Sequence, residues 1–110
     1  MISVALSPEA EKDLLQIKDY ITDELENPAA ANRILSEITK RIGKLADFPE
    51  LGRMIEAIVP LESEHRVLVC GNYLAFYLLE ENMVLVDRIL YGKRDFVRIL
   101  FDELPRENTE

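Results

Sequence analysis

Three apolar runs in the second half of the chain constrain its fold more than any other feature. The runs lie between His65 and Leu90, and they are separated by residues 70–72 (Cys-Gly-Asn) and 80–82 (Glu-Glu-Asn). Val, Ile, Leu, Tyr and Phe dominate the runs, while Gly and Asn at the breaks favour tight turns. The pattern predicts three consecutive strands joined by hairpins.

The N-terminal half of the sequence predicts one strand and two amphipathic helices. Residues 2–6 form a short apolar run, and Ser7 with Pro8 is typical of a capped helix start. Asn27 and Pro28 repeat this signal, so a second helix is expected to lie antiparallel beside the first. The predicted apolar stripes are Ala10, Leu14, Ile17, Ile21 and Leu25 in the first helix, and Ala31, Ile34, Leu35, Ile38, Ile42 and Leu45 in the second.

Together these patterns predict a single α+β domain over residues 1–110, with the element order β-αα-βββ-α. The helical hairpin is expected to pack on one face of a small antiparallel sheet. Residues 48–61 are expected to form a loop, with at most one helical turn. The last element is predicted to be a short helix that begins at Asp95 and ends before Pro105, and a strand over residues 97–101 is the alternative.

Charge and composition narrow the classes of function. The net charge of −8 disfavours non-specific binding to nucleic acid, although Lys and Arg concentrate in the second half and allow a local basic patch. A single cysteine, Cys70, excludes an internal disulfide and favours a cytoplasmic location. No apolar run approaches the ~20 residues of a membrane-spanning helix, and the N-terminus does not resemble a signal peptide. No membrane association is therefore expected.

Motifs for metal binding or nucleophilic catalysis are scarce. One cysteine and one histidine do not make a zinc site, so no metal and no cofactor are expected. Any Ser-His-Asp triad would have to use His65, but no serine has the sequence context of a nucleophile elbow. Cys70 precedes a hairpin turn and is interpreted as a small core residue.

Four local motifs carry a family resemblance. They are LSPEAEKDL after the first strand (6–14), NPAAA between the helices (27–31), FPELGR (48–53), and a strand led by Arg66 that is followed by Asn72-Tyr73 and then by RILYGKRD (88–95). In this order they resemble the RelE/ParE superfamily, the toxins of type II toxin–antitoxin pairs, and the resemblance covers nearly the whole chain. It implies a RelE/ParE-like fold and a cytoplasmic, growth-inhibiting toxin associated with plasmid stabilisation. Its partner would be a cognate antitoxin, and it would contact operator DNA only through that antitoxin.

The resemblance leaves two mechanisms open, because one fold serves both. RelE-like members cleave mRNA on the ribosome, whereas ParE-like members poison DNA gyrase. In a ribonuclease, the matching catalytic residues would be Arg66, Arg88 and Arg94 for charge, with Tyr91 as acid or base. Many members carry histidine where Tyr91 stands. An unperturbed tyrosine ionises near pH ~10, which disfavours base catalysis at neutral pH.

Other roles are open for the cationic residues. Arg53, which follows Gly52 in a loop, is predicted to bind a partner, as are Lys93 and Arg98. The structural alternative pairs Arg66 and Arg88 with acids such as Glu64, Asp87 or Asp95, and makes Tyr91 a packing aromatic of the sheet. No spacing in the sequence decides whether the arginines converge.

The acidic charge and Tyr91 favour the ParE-like, gyrase-directed toxin. The mRNA endoribonuclease is the second hypothesis. A module that binds the antitoxin but has lost toxicity is the third. In each case apolar antitoxin side chains are expected to seat on the helical hairpin or beside the sheet, and exposed sheet edges are templates for an added strand.

Overall fold

Two helices pack on one face of a five-stranded sheet. The computed structural model describes residues 2–57 and 63–92. The helices are α1 (Pro8–Asp19), which continues into a π-helical turn (Tyr20–Glu24), and α2 (Pro28–Gly43), which continues into a 3-10 turn (Lys44–Ala46). The strands are β1 (Ser3–Leu6), β2 (Arg53–Met54), β3 (Arg66–Cys70), β4 (Tyr73–Leu79) and β5 (Met83–Tyr91), with a 3-10 turn (Ile55–Ala57) after β2.

The strand order in the sheet is β1-β5-β4-β3-β2. The α+β class and the three-stranded meander are confirmed, but the sheet is mixed, because β1 runs parallel to β5. Hairpin signals predict antiparallel pairing only for strands joined by short turns, and β1 and β5 lie at opposite ends of the chain. The predicted helix from Asp95 to Pro105 lies outside the described residues.

The turn between β3 and β4 follows from one glycine. Gly71 has a φ of 64°, a left-handed conformation that costs glycine little, and Cys70 pairs with Tyr73 on either side of the turn. A positive φ at the first central residue is typical of a type II′ turn, whose twist matches that of the flanking strands. The hairpin prediction is therefore confirmed with its turn residue.

Both predicted helix caps are present. The Ser7 hydroxyl accepts a hydrogen bond from the Ala10 amide at 2.9 Å, and the Asn27 side-chain oxygen accepts one from the Ala30 amide at 3.1 Å. Ser7 also binds the sheet, because its amide donates to Val86 and its hydroxyl donates to the Asp87 carbonyl. The cap therefore fixes where α1 leaves the sheet.

The main core lies between the helices and the sheet. Its fully buried members include Ala10, Ile21, Ala31, Ile38 and Leu45 from the helical side and Leu68, Ala75, Tyr77, Val84, Val86 and Ile89 from the sheet. A second, smaller cluster on the opposite face of the sheet consists of Ile55, Val67, Phe76 and Leu90. None of the helices in the described ranges is long and apolar enough to span a membrane.

Leu25 departs from the predicted stripe, because 57% of it is exposed. The π-helical turn explains the departure. The Leu25 amide donates a hydrogen bond to the carbonyl of Tyr20, five residues earlier in the chain. This turn therefore contains one residue more than an α-helical turn, and the residues that follow it are rotated away from the core. Glu26 then takes a φ of 51°, a left-handed conformation typical of a helix end.

The segment after α2 contains a short edge strand where a loop was predicted. Gly52 allows this segment to lie against the sheet, since a Cβ on it would lie 2.8 Å from both the Val67 carbonyl oxygen and the Tyr77 ring. The Tyr77 hydroxyl also binds this segment. It accepts a hydrogen bond from the Gly52 amide at 2.9 Å and donates one to the Pro49 carbonyl at 2.8 Å.

Gly52→Ala is expected to lower the free energy of unfolding by about 1–3 kcal/mol, because the added methyl meets a backbone oxygen that cannot move aside. Gly43→Ala is the matched control. Nothing lies within 4 Å of a Cβ at this helical position, so a gain of about 0.5–1 kcal/mol is expected. Urea denaturation followed by circular dichroism measures both. Equal effects of the two changes would contradict the close packing of Gly52.

The Cys70 thiol is expected to resist alkylation in the native protein. It is buried at the end of β3, and burial raises its pKa from the ordinary 9.0 to about 11, against a smaller opposing effect of Arg41. The neutral thiol therefore stabilises the fold below pH 9, and this contribution is lost as the pH rises towards 11. Reaction with a chromogenic disulfide at pH 8, with and without urea, tests this, and rapid labelling without urea would contradict it.

Candidate functional site

Among the described residues no strand pairs with the end of β5 on the β1 side, and one carboxylate from α1 binds the backbone there. The pairing of β1 with β5 ends at Leu6 and Val86, although β5 continues to Tyr91. Beyond that point the Asp13 carboxylate accepts a hydrogen bond from the Ile89 amide at 2.9 Å. Its two oxygens also accept from the Arg88 guanidinium, at 2.8 Å from Nε and 2.9 Å from Nη2. We call this arrangement the edge clamp.

The edge clamp is largely removed from water. The Asp13 side chain is 5% exposed, whereas 27% of the Arg88 side chain remains accessible. The hydrogen bonds that Arg88 donates to Asp13 are the main cause that raises the pKa of Arg88, so its guanidinium stays charged. Sequence reasoning suggested Asp87 or Asp95 as acidic partners and missed Asp13. The available signal was a charged residue within the apolar stripe, between Ala10 and Ile17.

A β-bulge beside the clamp redirects the neighbouring side chain. Tyr77 pairs with Val86 and Phe76 with Arg88, so Asp87 is the extra residue of the bulge. The Asp87 carboxylate lies 3.0 Å from His65 Nε2, across the width of β4. This contact ties the segment that precedes β3 to the centre of the sheet.

The structure also brings a serine, the single histidine and an aspartate into one chain of contacts. His65 Nδ1 lies 2.9 Å from the Ser63 hydroxyl, while Nε2 faces Asp87. The Ser63 hydroxyl also accepts from the His65 backbone amide at 3.1 Å, as in a local turn. The arrangement therefore has an ordinary structural role, which is to hold the segment before β3 in place.

The three predicted cationic residues that the structure describes are held apart by separate contacts. Arg66 is two residues from Leu68 of the helix-side core and therefore starts from the same face of β3, and its Nη1 donates a hydrogen bond to the Gly52 carbonyl at 2.9 Å. Arg88 pairs with Phe76 of the smaller cluster on the other face. Arg53 is exposed on the edge strand β2. The predicted residues Lys93, Arg94 and Arg98 lie outside the described residues.

A groove of about 600 Å³ opens between the helical hairpin and the ends of β4 and β5. Its walls are mainly apolar, and its described lining consists of Asp13, Gln16, Ile17, Tyr20, Ile21, Leu25, Ile34, Asn72, Tyr73, Ile89, Leu90 and Tyr91. Tyr73 and Tyr91 meet edge to face with ring centroids 5.6 Å apart. Burial is the main cause that raises the pKa of Tyr73, followed by the nearby Tyr91 and Tyr20.

This groove is the strongest candidate for a binding surface in the part of the chain that the structure describes. Predicted residue Tyr91 lies on its rim and is 39% exposed. The sequence did not identify the other groove residues as a binding surface, because those of α1 were interpreted as part of the apolar stripe that faces the core. Within the described residues no three His, Cys, Asp or Glu side chains are grouped to hold a metal ion.

Asp13→Asn is expected to destabilise the protein by about 2–4 kcal/mol, since it leaves the partly buried Arg88 guanidinium without its counter-charge. Asp19→Asn, an exposed change on the same helix, is the control and should stay within about 0.5 kcal/mol of the parent. Chemical denaturation of the single variants, Arg88→Gln and the double variant gives the coupling. Additive losses would show that the two side chains do not act together.

Comparison with known proteins identifies the family. The sequence matches the family model for the ParE toxin of the type II toxin–antitoxin system, parDE, over residues 4–96. A search of curated proteins finds no match. Among solved structures, the fold is similar to a chain of a chromosomal ParDE toxin–antitoxin system from P. aeruginosa, with a TM-score of 0.70 and 21% sequence identity over 84% of this chain and 98% of that chain. Because the family model spans most of its length, this chain belongs to the ParE toxins of type II toxin–antitoxin systems.

Proposed function

We propose that this ParE-family toxin inhibits growth by binding DNA gyrase, without cleaving RNA, and that a cognate antitoxin neutralises it. The observation that carries the mechanism is the placement of Arg66 and Arg88. Their guanidinium groups are held on opposite sides of the meander, since Arg66 donates to the Gly52 carbonyl beside β2 and Arg88 donates to Asp13 of α1 beside β5.

Cleavage of RNA by internal attack requires a base, an acid and positive charge around one phosphate. The Arg88 guanidinium already holds the Asp13 carboxylate with two nitrogen atoms, and releasing it would leave a buried carboxylate without its counter-charge. Arg66 is directed to the loop at Gly52, and Tyr91 packs on Tyr73 at the groove. These contacts favour structural roles for the three residues.

The antitoxin is expected to dock in the groove between the hairpin and the sheet. Its apolar walls suit an apolar partner segment, and Leu25 at its rim is 57% exposed. The alternative is strand addition at the edge of β3 beyond β2. That edge is short, and the outward carbonyl of Val69 already accepts a hydrogen bond from Arg41 at 3.2 Å. The groove therefore supports docking better than the edge does.

The proposed target is tested by inducing the chain alone in a bacterial host. Arrested, filamentous cells with unchanged mRNA 5′ ends by primer extension are expected. Purified protein should inhibit supercoiling by DNA gyrase or trap its cleaved DNA. Arg66→Ala and Tyr91→Phe, checked for folding, serve as variants.

The outcomes separate the hypotheses. New mRNA 5′ ends that disappear in both variants would identify an endoribonuclease and overturn the gyrase proposal. Unimpaired growth with soluble, folded protein would instead favour a module that binds the antitoxin without toxicity. Arrest with intact mRNA but unaffected gyrase would require a different target.

A further inference from the structure

The rim of the groove carries an aromatic cluster that the proposed function does not explain. Tyr20, Tyr73 and Tyr91 line the same groove, and we call them the tyrosine cluster. Tyr20 is 56% exposed and Tyr91 is 39% exposed, although both rings have ample apolar surface to bury. An edge-to-face contact between Tyr73 and Tyr91 leaves ring faces open to a ligand.

The charges around the cluster favour a cation. Among the described residues that line the groove there is no Lys or Arg, and the remaining polar groups are Asp13, Gln16 and Asn72. Residues 8–24 contain six acids and two lysines. Asp19 precedes Tyr20 in the chain, and both residues are exposed. Acids therefore outnumber cations along the helical wall of the groove, although Asp13 itself is already paired with Arg88.

We propose that the tyrosine cluster is a cation site, which receives a Lys or Arg side chain carried by the apolar segment of the antitoxin. The inference rests on the proposed docking of the antitoxin in this groove. A cation over the face of a tyrosine is attracted by the negative face of the ring, and burial of the neighbouring apolar contacts strengthens that attraction. The partner segment is accordingly apolar and basic, complementary to an acidic toxin.

The site gives the partner segment a defined register. The apolar walls from Ile17, Ile21 and Ile34 accept many hydrophobic side chains in similar ways. A single cation held among aromatic rings at one end of the groove fixes which residue of the segment lies there. Apolar contact thus supplies affinity, while the cation selects the matching partner.

The test uses a random-peptide library displayed on phage and selected against the full chain. Selected peptides are synthesised with each Arg as such or replaced by citrulline, which keeps the shape and removes the charge. Binding is measured to the parent chain, Tyr20→Leu, Tyr91→Leu and Tyr91→Phe. The control is Phe48→Leu, which changes an exposed aromatic outside the described groove lining. Thermal unfolding confirms that each variant is folded.

The expected result is enrichment of peptides with apolar residues and a Lys or Arg. Citrulline, Tyr20→Leu and Tyr91→Leu should each weaken binding about tenfold, while Tyr91→Phe and Phe48→Leu leave it near the parent value. In the Tyr91→Leu variant, replacing Arg by citrulline in the peptide should weaken binding little further, because the interaction between the charge and the ring has already been removed.

Two results overturn the inference and are distinguishable. Peptides that lack cations, or that tolerate citrulline, yet lose binding in Leu25→Asp, a further variant at an exposed groove residue, would exclude the cation site and leave groove docking intact. Peptides insensitive to every groove variant, or no enrichment at all, would overturn the cation site and the proposed docking together.

Discussion

The contact of Asp13 with β5 is the constraint on which the rest of the structure depends. β1 is four residues long and β5 is nine, so within residues 2–57 and 63–92 no strand pairs with the C-terminal part of β5 on that side. A buried backbone amide without a partner is costly, and here the Ile89 amide is satisfied by a side chain from a helix. The same carboxylate neutralises Arg88, so α1 is fixed against the sheet at both its cap and its second turn.

Other polar residues also hold loops and segments of the chain in place. Arg66, Tyr77 and Gly52 hold the loop before β2, and Asp87 with His65 holds the segment before β3. The polar side chains of these residues therefore form hydrogen bonds within the fold. In the part of the chain that the structure describes, the groove is concave, mainly apolar and rich in tyrosine, features that are typical of a binding site.

Local features were predictable from the sequence, because they depend on neighbouring residues. The caps at Ser7 and Asn27, the turn at Gly71 and the three strands of the meander all follow from short-range preferences. The parallel position of β1 was not predictable, since it depends on where β5 returns. Asp13 was also missed, because its role appears only when Arg88, far along the chain, reaches it. The groove was unpredictable for the same reason, as its two walls come from opposite halves of the chain.

The π-helical turn gives the groove its shape through a single backbone residue. A helix that is one residue shorter would close this turn with ordinary α-helical bonds and carry Leu25 back towards the core. The rim on the helical side would then lose its apolar edge, although every side chain elsewhere stayed the same. A change of one residue in the length of this turn, rather than a change in residue type, is thus expected to alter the shape of the groove.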